Sequence, residues 1–133
     1  MTHDPVNHPD HYTSHPSGVE CIEITRWLSF DVGNAVKYVW RAGLKEATEP
    51  AEDLGKARFY LLDMLGKLPS RNISPPPREA KHLLVRVITA ESEQYGEDHP
   101  RVWFYRFIRD GMYPQALKEL DEMLEDLGIG LEL

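Results

Sequence analysis

The residues with the most chemistry to offer lie between Val32 and Ala42. A helix turns about 100° per residue, so Asn34, Lys37, Tyr38 and Arg41 fall on one side of such a segment and Val32, Val36 and Val39 on the other. Arg presents a planar fork matched to phosphate oxygens, Lys a compact charge, and an Asn amide both donates and accepts, so this face suits a phosphate carried on a base or sugar. The same pattern also describes a plain solvated stripe. A second stripe, Asp53, Lys56 and Tyr60 at i, i+3 and i+7, lies opposite a leucine-rich face of the next helical segment. If the two segments form an antiparallel hairpin through Gly43 to Thr48, Lys37, Arg41, Lys45 and Lys56 converge; otherwise Asp53 and Lys56 form a weak surface pair.

Ahead of these stripes runs an arm, residues 1–17, with four histidines (His3, His8, His11, His15) and three prolines and no apolar period. His8 and His11 flank Pro9 and Asp10. Imidazole is a common metal ligand, but a structural zinc site needs four ligands, and Cys21 falls on an apolar helical face. No metal site is therefore expected, and the imidazoles are read as donors to a phosphate or as packing against the helices.

Six helical elements must position these groups. Val19, Ile22, Trp27 and Phe30 recur at roughly helical spacing, and Ser29 or Asp31 can cap a second helix starting near Val32 and stopped by Gly43. Thr48 is the expected cap of a third, with Pro50 in its first turn and Leu54, Ala57, Leu61, Met64, Leu65 and Leu68 as its buried face. The run PSRNISPPP from Pro69 to Pro77 cannot propagate a helix, which predicts a linker over 69–77 between units 1–68 and 78–133. Beyond it, Ala80, Leu83, Leu84, Val87, Ile88 and Glu91 keep one helical rhythm, ended by Gly96. Asp98 and Pro100 then read as the cap and first turn of an aromatic helix that stops at Gly111, and Leu117, Leu120, Leu124 and Leu127 line a last helix. No stretch alternates long enough for a sheet, so the expected class is all-α, a compact bundle.

The totals narrow the functions. Apolar residues make up 41% and charged residues 28% of 133, a globular balance with enough chain for one core. The net charge of -7 opposes generic nucleic-acid binding, which draws its affinity from clustered cations. Residues 1–75 hold 8 Lys+Arg against 10 Asp+Glu and residues 76–133 hold 7 against 12, so an anion site belongs in the first part. A single cysteine, no secretory leader and no apolar run of ~20 residues predict a cytoplasmic protein with no membrane partner. Trp103, Phe104, Tyr105, Phe107 and Tyr113 exceed what a short helix hides alone; they pack on the N-terminal unit or across a homo-oligomer interface.

VNHPDHY (Val6 to Tyr12), GVECIEI (Gly18 to Ile24), GNAVKYVWRAGLK (Gly33 to Lys45) and EDLGKARFYL (Glu52 to Leu61), in this order and spacing, closely resemble the SaV-like phage family of unknown function, over residues 6–68. One coliphage member is a kinase of deoxynucleoside monophosphates. The resemblance thus implies that His8, His11, Tyr12, Asn34, Lys37, Arg41, Lys45, Asp53 and Lys56, with Tyr38 on the same face, line a nucleotide site, and it places the protein in a host cytoplasm. Gly55 stands where the family pattern usually has a basic residue, which removes one phosphate contact. The chain has no G-x-x-x-x-G-K-[ST] loop, so a kinase here would neutralise phosphates with Lys37, Arg41, Lys45 and Lys56 and use Asp53 to hold Mg²⁺ or a hydroxyl. Two alternatives stay open: a non-catalytic binder that sequesters a host nucleotide signal, and a Mg²⁺-dependent all-helical nucleotide pyrophosphatase using Glu20 with Glu23 and Glu49 with Glu52 and Asp53.

Overall fold

The computed structural model describes residues 15–44, 49–67 and 74–131. Among them are six helices and no strand: α1 (Cys21–Thr25), α2 (Phe30–Ala42), α3 (Pro50–Lys67), α4 (Arg78–Tyr95), α5 (Pro100–Asp110) and α6 (Tyr113–Asp126). The class is all-α, as expected. Helix α1 packs on α2 and α4, α2 on α3, α3 on α6, α6 on α5 and α5 on α4, so the six close a ring around one core. No helix among the described residues is long and apolar enough to cross a membrane.

Local chemistry sets the boundaries. The Ser29 hydroxyl accepts from the Val32 N–H at 3.4 Å, so α2 begins at Phe30, two residues earlier than the spacing predicts. Pro50 opens α3; its expected cap, Thr48, lies outside the described residues. Pro100 occupies the first position of α5, which makes His99 the cap in place of the expected Asp98: the His99 Nδ1 accepts from the Arg101 N–H at 3.1 Å. Gly96 ends α4 and Gly111 ends α5, as predicted. At Gly111 the chain turns left-handed (φ 69), Met112 N–H donates to the Phe107 carbonyl at 2.8 Å, and a side chain would run into Pro75.

The first segment differs from its expected pattern. Turns at Trp27 and Leu28 close α1 after five residues, and Ser29 restarts the chain in a new direction. One helical face therefore does not extend from Val19 to Phe30. Val19, Cys21 and Ile24 are buried, whereas Ile22, Trp27 and Phe30 are exposed.

The core draws on both sides of the segment 69–77. Trp40, Leu61, Leu84, Phe104 and Tyr105 are fully buried, each worth about 1.5–3 kcal/mol of transfer free energy for its apolar surface. Tyr105 of α5 meets Trp40 of α2 edge-on at 6.4 Å, and Arg58 of α3 donates to Asp121 of α6 at 2.7 Å. Of the two places open to the C-terminal aromatics, Phe104, Tyr105 and Tyr113 take the shared core, while Trp103 stays partly exposed under the Arg106 guanidinium.

Candidate functional site

Helices α2 and α3 pack along their length, which brings the two polar stripes side by side. Burial of Val32, Ala35, Val36, Val39 and Trp40 fixes the rotation of α2, and burial of Leu54, Ala57, Leu61 and Met64 fixes that of α3. On the outside, the Lys37 Nζ sits 4.7 Å and the Lys56 Nζ 5.4 Å from the centre of the Tyr38 ring. Tyr38 lies parallel to Tyr60 of α3, with 6.0 Å between ring centres and 7° between planes. One turn further along α2, the Arg41 Nε lies 3.7 Å from Asp53 Oδ1. Lys37, Tyr38, Arg41, Asp53 and Lys56 thus occupy one surface.

Their pairings differ from the surface pair that spacing suggests. Asp53, 7% exposed, turns toward Arg41, and Lys56 pairs with Glu52 at 3.3 Å. Arg41 keeps much of its side chain in solvent, so its guanidinium has donors to spare. Asn34 donates one Nδ2–H to the Phe30 carbonyl of its own helix at 2.8 Å, which leaves its second N–H and its amide oxygen for a ligand. Of the remaining candidates, His8, His11, Tyr12 and Lys45 lie outside the described residues.

Two shallow grooves flank Phe30, which is 75% exposed. The larger, of about 380 Å³, runs between Ser29, Phe30 and Asp31 on one side and Phe59, Tyr60 and Asp63 on the other. The smaller, of about 200 Å³, is bounded by Thr25, Leu28, Gly33, Asn34 and Lys37. Phe30 stands edge-on to Tyr60 at 5.8 Å and Phe59 edge-on to Tyr60 at 5.3 Å, an open aromatic platform next to the cations. Sequence reasoning missed this platform because Phe30 was read only as the last of the helically spaced series from Val19; the signal available was the polar company of Phe59 and Tyr60 on α3.

The carboxylates proposed for Mg²⁺ have other engagements. Glu23 accepts from the Glu20 N–H at 2.8 Å at the start of α1, Glu52 pairs with Lys56, and Asp53 pairs with Arg41. Among the described residues no three His, Cys, Asp or Glu gather to hold a metal ion.

Behind this face lies a buried ionic cluster that joins the arm to the C-terminal helices. Arg101 of α5 donates from Nε and Nη2 to both oxygens of Glu91 at 2.9 and 2.8 Å, and from Nη1 to the Val39 carbonyl of α2 at 3.0 Å. His15 lies 3.0 Å by its Nε2 from the same carboxylate; because its Nδ1 accepts from the Ser17 N–H, Nε2 is the nitrogen that donates. The His15 ring also rests on Trp40, 4.5 Å between centres. Burial alone would push the Glu91 carboxyl up, but hydrogen bonds from His15 and Arg101 and the guanidinium charge hold it down at about 2. Glu91 stood on the apolar rhythm of α4, which was the signal for a buried carboxylate. Its partners lie 10 and 76 residues away, where periodicity does not reach.

The fold and this face describe an all-helical protein with a cationic and aromatic surface on its α2–α3 hairpin. Residues 6–62 match the model of a family described as proteins of unknown function (DUF3310). The match takes in α1, α2 and most of α3, the helices that carry the face. No curated protein and no solved structure matches the chain.

Proposed function

We propose that the chain is a phage-type nucleotide-binding protein that holds a deoxynucleoside monophosphate on the α2–α3 face. Lys37, Arg41 and Lys56 take the phosphate, the Phe30 and Tyr60 rings take the base, and Asp53 accepts from the sugar hydroxyl. The observation that carries this reading is the approach of two ammonium groups from different helices to one ring, at 4.7 and 5.4 Å, in a chain of net charge -7. Glu52 offsets Lys56 only through an exposed pair at 3.3 Å, which contributes little by itself, so an incoming phosphate can take that lysine together with Lys37. Charge-assisted hydrogen bonds contribute about 1.5–3 kcal/mol each and a stacked base about 1–3 kcal/mol, enough together for a small ligand on a shallow surface.

A second reading, phosphoryl transfer from ATP to the bound monophosphate, is what the resemblance to the phage family implies. The Arg41–Asp53 pair favours it, since it sets a largely buried carboxylate beside a cation at the phosphate position. One experiment separates the readings. The protein is incubated with a panel of deoxynucleoside monophosphates, ATP and Mg²⁺, and both bound and free nucleotides are identified. Diphosphate formed by the wild type and absent from Lys37→Ala with Arg41→Ala identifies a kinase. Ligand recovered unchanged identifies a non-catalytic binder.

A further inference from the structure

Helix α3 is apolar on two opposite faces. The inner face, Leu54, Ala57, Leu61 and Met64, is buried in the core. The outer face carries Gly55, Phe59, Leu62 and Gly66, spaced by four, three and four residues, a strip that stays within about 60° of arc. Phe59 is 64% and Leu62 41% exposed, and a Cβ at Gly55 or Gly66 would meet no atom within 4 Å. Two large apolar side chains between two bare stretches of backbone form a groove-and-ridge surface that nothing among the described residues covers.

We propose that this outer face of α3 is the seam of an antiparallel, two-fold homodimer. The strip reads the same from either end, because Phe59 and Leu62 are equidistant from its midpoint and so are Gly55 and Gly66. A second α3 laid antiparallel sets Phe59 against the partner's Leu62 and Gly55 against the partner's Gly66. This is the self-complementarity that a two-fold interface requires. The glycines let the two backbones approach at both ends, so that the central side chains reach across.

Charge selects the direction. Lys56 and Asp63 flank the strip on the same side, one helical heptad apart. In the antiparallel pair each Lys56 lands near the partner's Asp63, giving two opposite-charge contacts. A parallel two-fold pair places Lys56 and Asp63 on the opposite side of the seam from the partner's copies, so neither opposite-charge contact forms. The strip spans about 16 Å of helix, less than the ~800 Å² per partner that stable dimers bury would need. The exposed ring of Phe30, on the Lys56 and Asp63 side of the strip, widens the footprint. Asp63 also bounds the larger groove beside Phe30, so the dimer brings the partner's Lys56 to the rim of that groove. The seam rests on the α3 strip and not on the nucleotide reading, but it shares Phe30 and Lys56 with the proposed nucleotide face, so dimer formation and base stacking on Phe30 compete.

The test uses the full chain without nucleotide. Sedimentation equilibrium at roughly 100 μM, a concentration chosen to favour association by mass action, should give twice the 15.3 kDa of one chain. Phe59→Glu, at an exposed position, should give the single-chain mass with an unchanged helical spectrum. Cys21 is buried, so introduced cysteines report alone. On mild oxidation, Gly55→Cys combined with Gly66→Cys should form a covalent dimer, and Gly55→Cys alone should not. A single-chain mass for the wild type, a dimer that survives Phe59→Glu, or cross-linking by Gly55→Cys alone would each overturn the proposal.

Discussion

Replacing Glu91 by alanine removes the carboxylate that faces the Arg101 guanidinium, which is 6% exposed. The Nε and Nη2 donors lose their acceptors, leaving Nη1 on the Val39 carbonyl, and the His15 Nε2 loses its acceptor as well. Breaking a buried pair from one side costs about 3–5 kcal/mol, because the remaining charge cannot return to water. A domain of this size is stable by about 5–15 kcal/mol, so the variant should sit close to unfolding. At about 3–5 °C per kcal/mol the melting temperature falls by roughly 10–25 °C. Removing both charges together, Glu91→Leu with Arg101→Met, should cost less, since neither ion then has to be held out of water. Thermal melts followed by circular dichroism, with urea midpoints alongside, measure both variants. The reasoning fails if Glu91→Ala melts within about 2 °C of the wild type, or if the double variant is the less stable of the two.

Acid should act on the same carboxylate. Its folded value of about 2 lies below the ordinary 4.5, so the unfolded chain takes up the proton first. The stability that Glu91 contributes is therefore present above about pH 4.5 and lost as pH falls from there to about 2, on the order of 3 kcal/mol in all. Urea midpoints at about pH 6 and about pH 3 should show a larger acid loss for the wild type than for Glu91→Gln, which has no carboxyl to protonate; equal losses would contradict this. Gly43→Ala should destabilise by about 1–3 kcal/mol, because a Cβ there overlaps the Arg101 guanidinium, which Glu91 and Val39 hold in place. The penalty should shrink when Arg101→Met is already present, and urea midpoints of the single and double variants check this non-additivity.

Much of this architecture is legible in residue spacing. The series from Ala80 to Ile88 and from Leu54 to Met64 each fit one helical period and one buried face, so the inner sides of α4 and α3 follow from the hydrophobic pattern. The stripe of Lys37, Tyr38 and Arg41 follows from burial of the valines opposite it. Periodicity fails where the chain changes direction within a short run: between Val19 and Phe30 two elements at an angle carry residues that look like one helix. Long-range pairing is the other blind spot. Nothing local tells Asp53 to choose Arg41 over Lys56, or Glu91 to meet His15, because those choices depend on how packed helices are rotated against each other. The aromatic platform escaped for the same reason, since a phenylalanine at a helix start is apolar by type and exposed only by position.

The nucleotide face is tested most directly by titrating the purified full chain with each deoxynucleoside monophosphate in a calorimeter, with Lys37→Ala and Lys56→Ala in parallel. Each lysine is half in solvent or at the surface of its helix, so the variants should fold as the wild type does. The account predicts saturable binding by the wild type that weakens roughly 10- to 100-fold in either variant, the loss expected when one charge-assisted contact of about 1.5–3 kcal/mol is removed. No heat of binding for any monophosphate, or binding that both variants retain in full, would return the Lys37, Arg41 and Lys56 face to an ordinary solvated surface.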